Sequence, residues 1–330
     1  MINNIQMLRA LAVIMVVAYH SVGIVNKYGF GFVDHTLIGR WGALGVDIFF
    51  VISGFIMAMI DDNKRKSPYV FAKDRVLRIV PIYWMMTVTL ILIQSIMPEM
   101  FRDTIYTTYQ NIASLFFVSG YLGFNYPTLY VGWSLELEMF FYAIFSLCLF
   151  IKNHNIKIIS LVGIIFVLSI LGLIKPISME FAFGIIAYYA SKRISLMQAN
   201  IRLLLVTTLI AMVLFYSLSI PVDLYSIERP LFAGVISFFI VFVAVLCRDV
   251  KNNIFTEIGN ASYSIYLVQV FSIPLITKII VKLGFNLSGL LVFLIATIFT
   301  VVSGYIFYIL IERNIVKVSK GFRIRRLNKV

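Results

Sequence analysis

Apolar residues in this chain come in windows of about 20, each long enough to cross a bilayer core of about 30 Å. Inside that core the backbone finds no water, so such windows are confined to helices that satisfy their own hydrogen bonds. Ten spans are read, at 7–25, 42–60, 79–97, 133–151, 157–174, 176–191, 202–220, 231–247, 262–281 and 289–311. Hydrophobic residues make up 61% of the 330, above the roughly 45–50% of a soluble domain. The expected fold is an all-α polytopic membrane protein of about ten transmembrane helices. The stretch 105–130 is apolar but short, with glycines, tyrosines and Pro127, and reads as a re-entrant or interfacial segment.

The net charge of +13 tests this map. With the N-terminus in the cytoplasm, 21 of the 28 Lys and Arg fall on the inner side and seven on the outer. That bias is the one expected of membrane proteins, so both termini are expected in the cytoplasm. Counting 105–130 as a span would swap every later loop and weaken the bias. The positive charge is thus read as topology, with the lipid bilayer as partner and no nucleic acid. Residues 1–312 form the expected membrane domain. Residues 313–330 form a basic cytoplasmic tail suited to anionic headgroups. The first apolar segment lacks a cationic leader and a small-residue cleavage site, so it is expected to stay as a span. Cys148 and Cys247 lie in apolar windows without metal or disulfide spacing, and read as packing residues; no metal is expected.

Ionisable residues inside a span are functional candidates by default. Arg9 and His20 both lie on the first span. Eleven residues at about 100° each bring them to one helix face, about 16 Å apart. They cannot touch each other, but a long ligand, charged at one end and reactive at the other, could touch both. Asp47 lies near the outer end of the second span and Glu138 near the outer start of the fourth. His20, Asp47 and Glu138 are thus expected at one depth, in a common polar chamber. Histidine can accept a proton near neutral pH, and a carboxylate can orient it; Asp47 and Glu138 compete for that role.

Arg75 and Arg78 are three apart on the start of the third span, level with Arg9. Together they make a cationic rim suited to phosphates, which arginine binds bidentately. Trp133 and Ser134 open the fourth span, with Ser134 on the face of Glu138. Tyr263, Tyr266 and Gln269 follow the polar start of the ninth span and are candidates to line the same cavity.

These residues, in order, resemble the membrane-bound acyltransferase family 3, which includes O-antigen, exopolysaccharide and Nod-factor O-acetyltransferases. The resemblance rests on the Arg9–His20 spacing, Gly45-Val46-Asp47-Ile48-Phe49-Phe50 with Ile52-Ser53-Gly54-Phe55, Arg75 and Arg78 with Pro81, Trp133-Ser134-Leu135 with Glu138 and Tyr142, and Ser262-Tyr263-Ser264-Ile265-Tyr266-Leu267. It covers nearly the whole chain. It implies transfer of an acyl group, usually acetyl, from cytoplasmic acetyl-coenzyme A to a glycan or lipid-linked glycan hydroxyl in the bacterial inner membrane. It also implies donor-binding roles for Arg9, Arg75 and Arg78 and a catalytic role for His20. Two positions depart from the family pattern: Gln269, where histidine is common, and Asn314, where proline commonly follows the acid Glu312 at the second position. The hydrolase-like C-terminal domain of many relatives is not expected here. The competing class is a transporter or flippase of a lipid-linked glycan, in which buried ionisable groups relay protons or bind substrate. Self-association into a homo-oligomer is left open by the sequence.

Overall fold

The computed structural model describes residues 2–31, 37–64, 66–101, 105–194, 206–211, 213–214 and 223–317. No strand occurs among the described residues. The longer helices, in chain order, are α1 (Asn3–Lys27), α2 (Leu37–Asn63) and α3 (Pro68–Ile96), then the short α4 (Thr108–Leu115). They are followed by α5 (Trp133–Cys148), α6 (His154–Ile170), α7 (Met179–Arg193) and α8 (Val235–Leu246). The last three are α9 (Ile254–Asn260), α10 (Ser262–Lys282) and α11 (Gly289–Phe307).

Among the described residues, six helices are long and apolar enough to cross a membrane: α1, α2, α3, α5 with the turn before it, α10, and α11 with its continuation. The chain is therefore a multi-pass membrane protein, with fewer full-length spans among the described residues than the ten expected. The shortfall is one of length. α6 has 17 residues and α7 has 15, and at about 1.5 Å per residue they rise only about 25 and 23 Å. α8, at 12 residues, is extended by the π-helical turn Pro230–Gly234. The predicted span 202–220 lies mostly outside the described residues, as does the tail from 318. Residues 105–130 hold the eight-residue α4 and the 3-10 turn Gly120–Leu122, with no helix of spanning length.

The bundle is organised around α1, which packs along α2 on one side and α9, α10 and α11 on the other. The start of α1 is fastened from a distance. The Asp249 carboxylate accepts from the amides of Asn3 (3.1 Å) and Asn4 (2.9 Å), groups with no partner inside the helix. α2 packs equally closely on α7, because two glycines face the contact. A methyl group on Gly54 would lie 2.0 Å from the Phe181 carbonyl oxygen, and one on Gly184 would lie 2.0 Å from that of Val51. Small residues permit such backbone contact in membranes. Gly54→Ala is expected to destabilise the protein by about 1–3 kcal/mol through overpacking. Thermal unfolding of the purified variant in detergent checks this, and an unchanged midpoint would refute it.

The ends of α2, α3, α6 and α7 meet at a basic face, where several charges neutralise one another. Lys66 pairs with Asp74 at 2.6 Å, Lys192 with Asp62 at 2.5 Å, and Lys157 with Asp61.

Candidate active site

A cavity of about 670 Å³ runs into the bundle from this basic face, between α1, α2, α3, α5 and α10. Its α2 wall is one helix stripe, Val46, Phe49, Phe50, Ile52, Ser53, Ile56, Met57, Met59, Ile60 and Asn63. From Val46 to Asn63 that stripe rises about 26 Å, so the cavity is a deep, narrow throat. Arg9, Arg75 and Arg78 line its wide end together with Lys64 and Lys66. The placement of the arginines follows from local structure. Ser67 caps α3 through the Val70 amide, and Pro68 begins the helix, so Arg75 and Arg78 lie two to three turns in.

None of these three arginines has a carboxylate within ion-pair distance among the described residues, although lysines around them do. Arg9 is only 9% exposed and donates to the Gln6 side chain at 3.2 Å. Arg75 lies over the rings of Phe71 and Tyr142, each at 5.9 Å. Halfway along the throat, the Glu138 carboxylate accepts from Ser53 (2.8 Å) and from Tyr142 (2.5 Å). Tyr263 lines the throat and donates to the Ile79 carbonyl at 2.7 Å, tying α10 to α3.

At the far end stand Ser134 and Tyr266. Their hydroxyls are 2.7 Å apart, and Tyr266 donates to the Val131 carbonyl at 2.8 Å. Behind this pair lies His20. Its ring packs against Tyr130 (5.1 Å) and Tyr19 (5.0 Å), and His20 is not among the residues that line the cavity.

The expected chamber uniting His20, Asp47 and Glu138 is therefore corrected. No hydrogen bond or ion pair joins His20 to either acid among the described residues. Asp47 is wholly buried and held by Arg229, which donates from Nε at 3.0 Å and from Nη2 at 2.9 Å. Glu138 lies level with Ser53, six residues along α2 from Asp47, or about 9 Å deeper. Trp133 also falls outside the cavity lining. It packs edge-on against Phe50, with Lys175 Nζ over its ring at 5.7 Å. Burial there pulls the Lys175 ammonium below its usual range, against the opposing pull of Glu136 and Asp223.

Sequence reasoning missed the roles of three charged residues. Arg229 directly precedes the π-helical turn Pro230–Gly234. Glu180 is fully buried, and its carboxyl bears on Asp47 and Arg229. Glu312 ends the second π-helical turn, Tyr308–Glu312, where it accepts from Ser264 and its charge bears on Arg9 and Arg78. Glu312 alone left a signal, as the acid of the family pattern directly after the last apolar window. The neighbouring Glu136, by contrast, has a structural task. Its carboxylate accepts from the amides of Ser119 (2.9 Å) and Gly120 (3.0 Å), pinning the preceding loop. Among the described residues, no group of three His, Cys, Asp or Glu is placed to hold a metal ion.

Comparison with known proteins gives the family of the chain. The acyltransferase domain model matches residues 2–309. The chain belongs to the acyltransferase-3 family. This acyltransferase-3 chain is 30% identical over 306 residues to the exopolysaccharide production protein ExoZ of Rhizobium meliloti, covering 86% of the chain and 92% of that protein. It is 29% identical over 200 residues to the O-acetyltransferase OatA of Staphylococcus aureus, covering 54% of the chain and 29% of that protein. No solved structure matches. The acyltransferase-3 chain is thus an acyltransferase, which decides against the transporter class.

Proposed function

We propose that the enzyme transfers an acetyl group from cytoplasmic acetyl-coenzyme A to a hydroxyl of a cell-surface polysaccharide, or of its lipid-linked precursor, in the bacterial inner membrane. One observation carries this reading: three arginines with no carboxylate within ion-pair distance among the described residues line the wide end of a deep throat whose walls turn apolar. Guanidinium groups suit the phosphates of the donor, and the narrow throat suits its flexible arm. The basic face is then the cytoplasmic one. The acceptor class follows from the relative named for exopolysaccharide production, which matches nearly the whole chain.

In this reading the thioester reaches the end of the throat near Ser134 and Tyr266. The sugar hydroxyl approaches from the side of His20, whose imidazole takes its proton as the oxygen attacks the carbonyl carbon. The carbon–sulfur bond breaks, the ester forms, and the thiolate recovers a proton. Among the described residues no acid bonds His20, and the rings of Tyr19 and Tyr130 hold its orientation. Acyl transfer through a transient acyl-His20 is the variant of the same step.

Purified protein in lipid nanodiscs, given acetyl-coenzyme A and the producing cell's polysaccharide, is expected to release free thiol and form acetyl ester in equal amounts. Absence of both would sink the reading. His20→Ala is expected to lower the transfer rate by about 10²–10⁴-fold while leaving acetyl-coenzyme A affinity intact. A stable variant that still acetylates would remove His20 as the catalyst.

A further inference from the structure

We propose that Tyr266, fixed by Ser134, forms a rigid floor to the throat and restricts the transferred group to a short acyl chain. The inference rests on the reading of the cavity as the acyl-donor site.

The floor follows from the order of residues along the throat. α5 runs from Ser134 at the closed end, past Glu138, to Tyr142 under Arg75 at the wide end. A donor whose phosphates sit at the arginines therefore presents its acyl group to Ser134 and Tyr266. The walls at that level are Val46, Phe49 and Leu135. They offer an apolar surface to a methyl group, and nothing in them recognises a charged or strongly polar acyl substituent.

Tyr266 is poorly placed to move aside. Its hydroxyl donates to the Val131 carbonyl and pairs with Ser134, so withdrawal would break both bonds of a buried phenol, while Ser134 would keep its own bond to Val131 at 3.2 Å. Its ring meets Phe49 edge-on at 6.4 Å, and its own carbonyl accepts from Gln269 Nε2 at 2.8 Å. Beside the ring, the segment Val131–Tyr130 brings His20 toward the same end of the throat, so the acceptor hydroxyl enters past Tyr266 and not through it. Added methylenes would therefore meet a tethered aromatic ring rather than open space. Tyr266 is then a specificity-determining residue: it makes no bond to the reacting atoms, but sets how long a chain can place its carbonyl within reach of the acceptor.

The experiment compares acetyl-, butyryl- and hexanoyl-coenzyme A with the wild type, Tyr266→Ala and Tyr266→Phe in nanodiscs. The wild type is expected to prefer acetyl. Tyr266→Ala is expected to raise the hexanoyl-to-acetyl ratio of kcat/KM on the order of tenfold or more, while Tyr266→Phe, which keeps the ring, shifts it far less. A ratio in Tyr266→Ala within twofold of wild type overturns the floor, as does a wild type that uses hexanoyl and acetyl donors equally. Where Tyr266→Ala transfers nothing, binding of the unreactive S-ethyl and S-hexyl thioethers of coenzyme A decides: an unchanged preference overturns the proposal, and a gain for S-hexyl supports it. A wild type that binds no coenzyme A thioether fails at the donor-site reading itself. One that binds and transfers acetyl while Tyr266→Ala keeps its preference fails at the floor alone.

Discussion

Asp47→Asn is expected to destabilise the protein by about 3–5 kcal/mol, because it removes the carboxylate that accepts two Arg229 hydrogen bonds and leaves the buried guanidinium facing Glu180, whose oxygens accept none. Arg229 is 2% exposed and Asp47 is 0% exposed, so water cannot take the place of the lost partner. Arg229→Ala is expected to cost a similar amount from the other side, with two buried carboxyl groups left facing one another. The third member of the cluster should behave differently. One guanidinium balances only one of the carboxylates of Asp47 and Glu180, and the Glu180 oxygens accept no hydrogen bond from a side chain or amide. Glu180→Gln keeps the shape and supplies a neutral donor toward Asp47, so it is expected to change stability by less than about 1 kcal/mol. Unfolding midpoints of the three variants in detergent test this ordering. If Glu180→Gln proved as damaging as Asp47→Asn, the cluster would need a second positive charge, and the charge balance drawn here would be wrong.

The second large effect is expected at the wide end of the throat. Hydrogen bonds to charged groups contribute about 1.5–3 kcal/mol each, so Arg75→Ala and Arg78→Ala should each weaken acetyl-coenzyme A binding by roughly 10–100-fold. Titration calorimetry on protein in nanodiscs measures this directly. Lysine replacements should recover only part of the loss, since an ammonium keeps the charge but not the planar fork. Raised salt should weaken the wild type more than the alanine variants. Equal donor affinity in wild type and both alanine variants would return these arginines to a purely topological role. The salt response also separates them from Lys66, whose charge is already spent on Asp74.

Much of the cavity wall at the basic face was legible in the sequence because it is local. Arg75 and Arg78 share a helix face by spacing, and the single stripe from Val46 to Asn63 keeps helical periodicity over its whole length. The polar chamber was not legible. Distance from a span's end fixes the level of a side chain in the membrane but not the direction in which it points around the bundle. Asp47 turned toward α7 and α8, and His20 toward Tyr130. Glu138 also lay deeper than counted, because the buried turn Tyr130–Gly132 carries the start of α5 inward. The partner of Asp47 lies 182 residues away, and Arg229 looked like one more outer-loop charge. Glu312 was seen only as the acid of the family pattern at the end of the last window. What aims it at Arg9 and Arg78 is a π-helical turn, which shifts the face of a helix without leaving a mark in its hydrophobic pattern.

The tethered pair at the closed end of the throat has a consequence for the cell as well as for catalysis. A water-filled passage running from one surface of the bundle to the other would let ions and protons run down the membrane potential. Each elementary charge crossing releases about 2.3 kcal/mol per 100 mV. If the cavity ends where Ser134 and Tyr266 bond to each other and to Val131, it opens on the basic face alone and gives hydrated ions no path through the bundle.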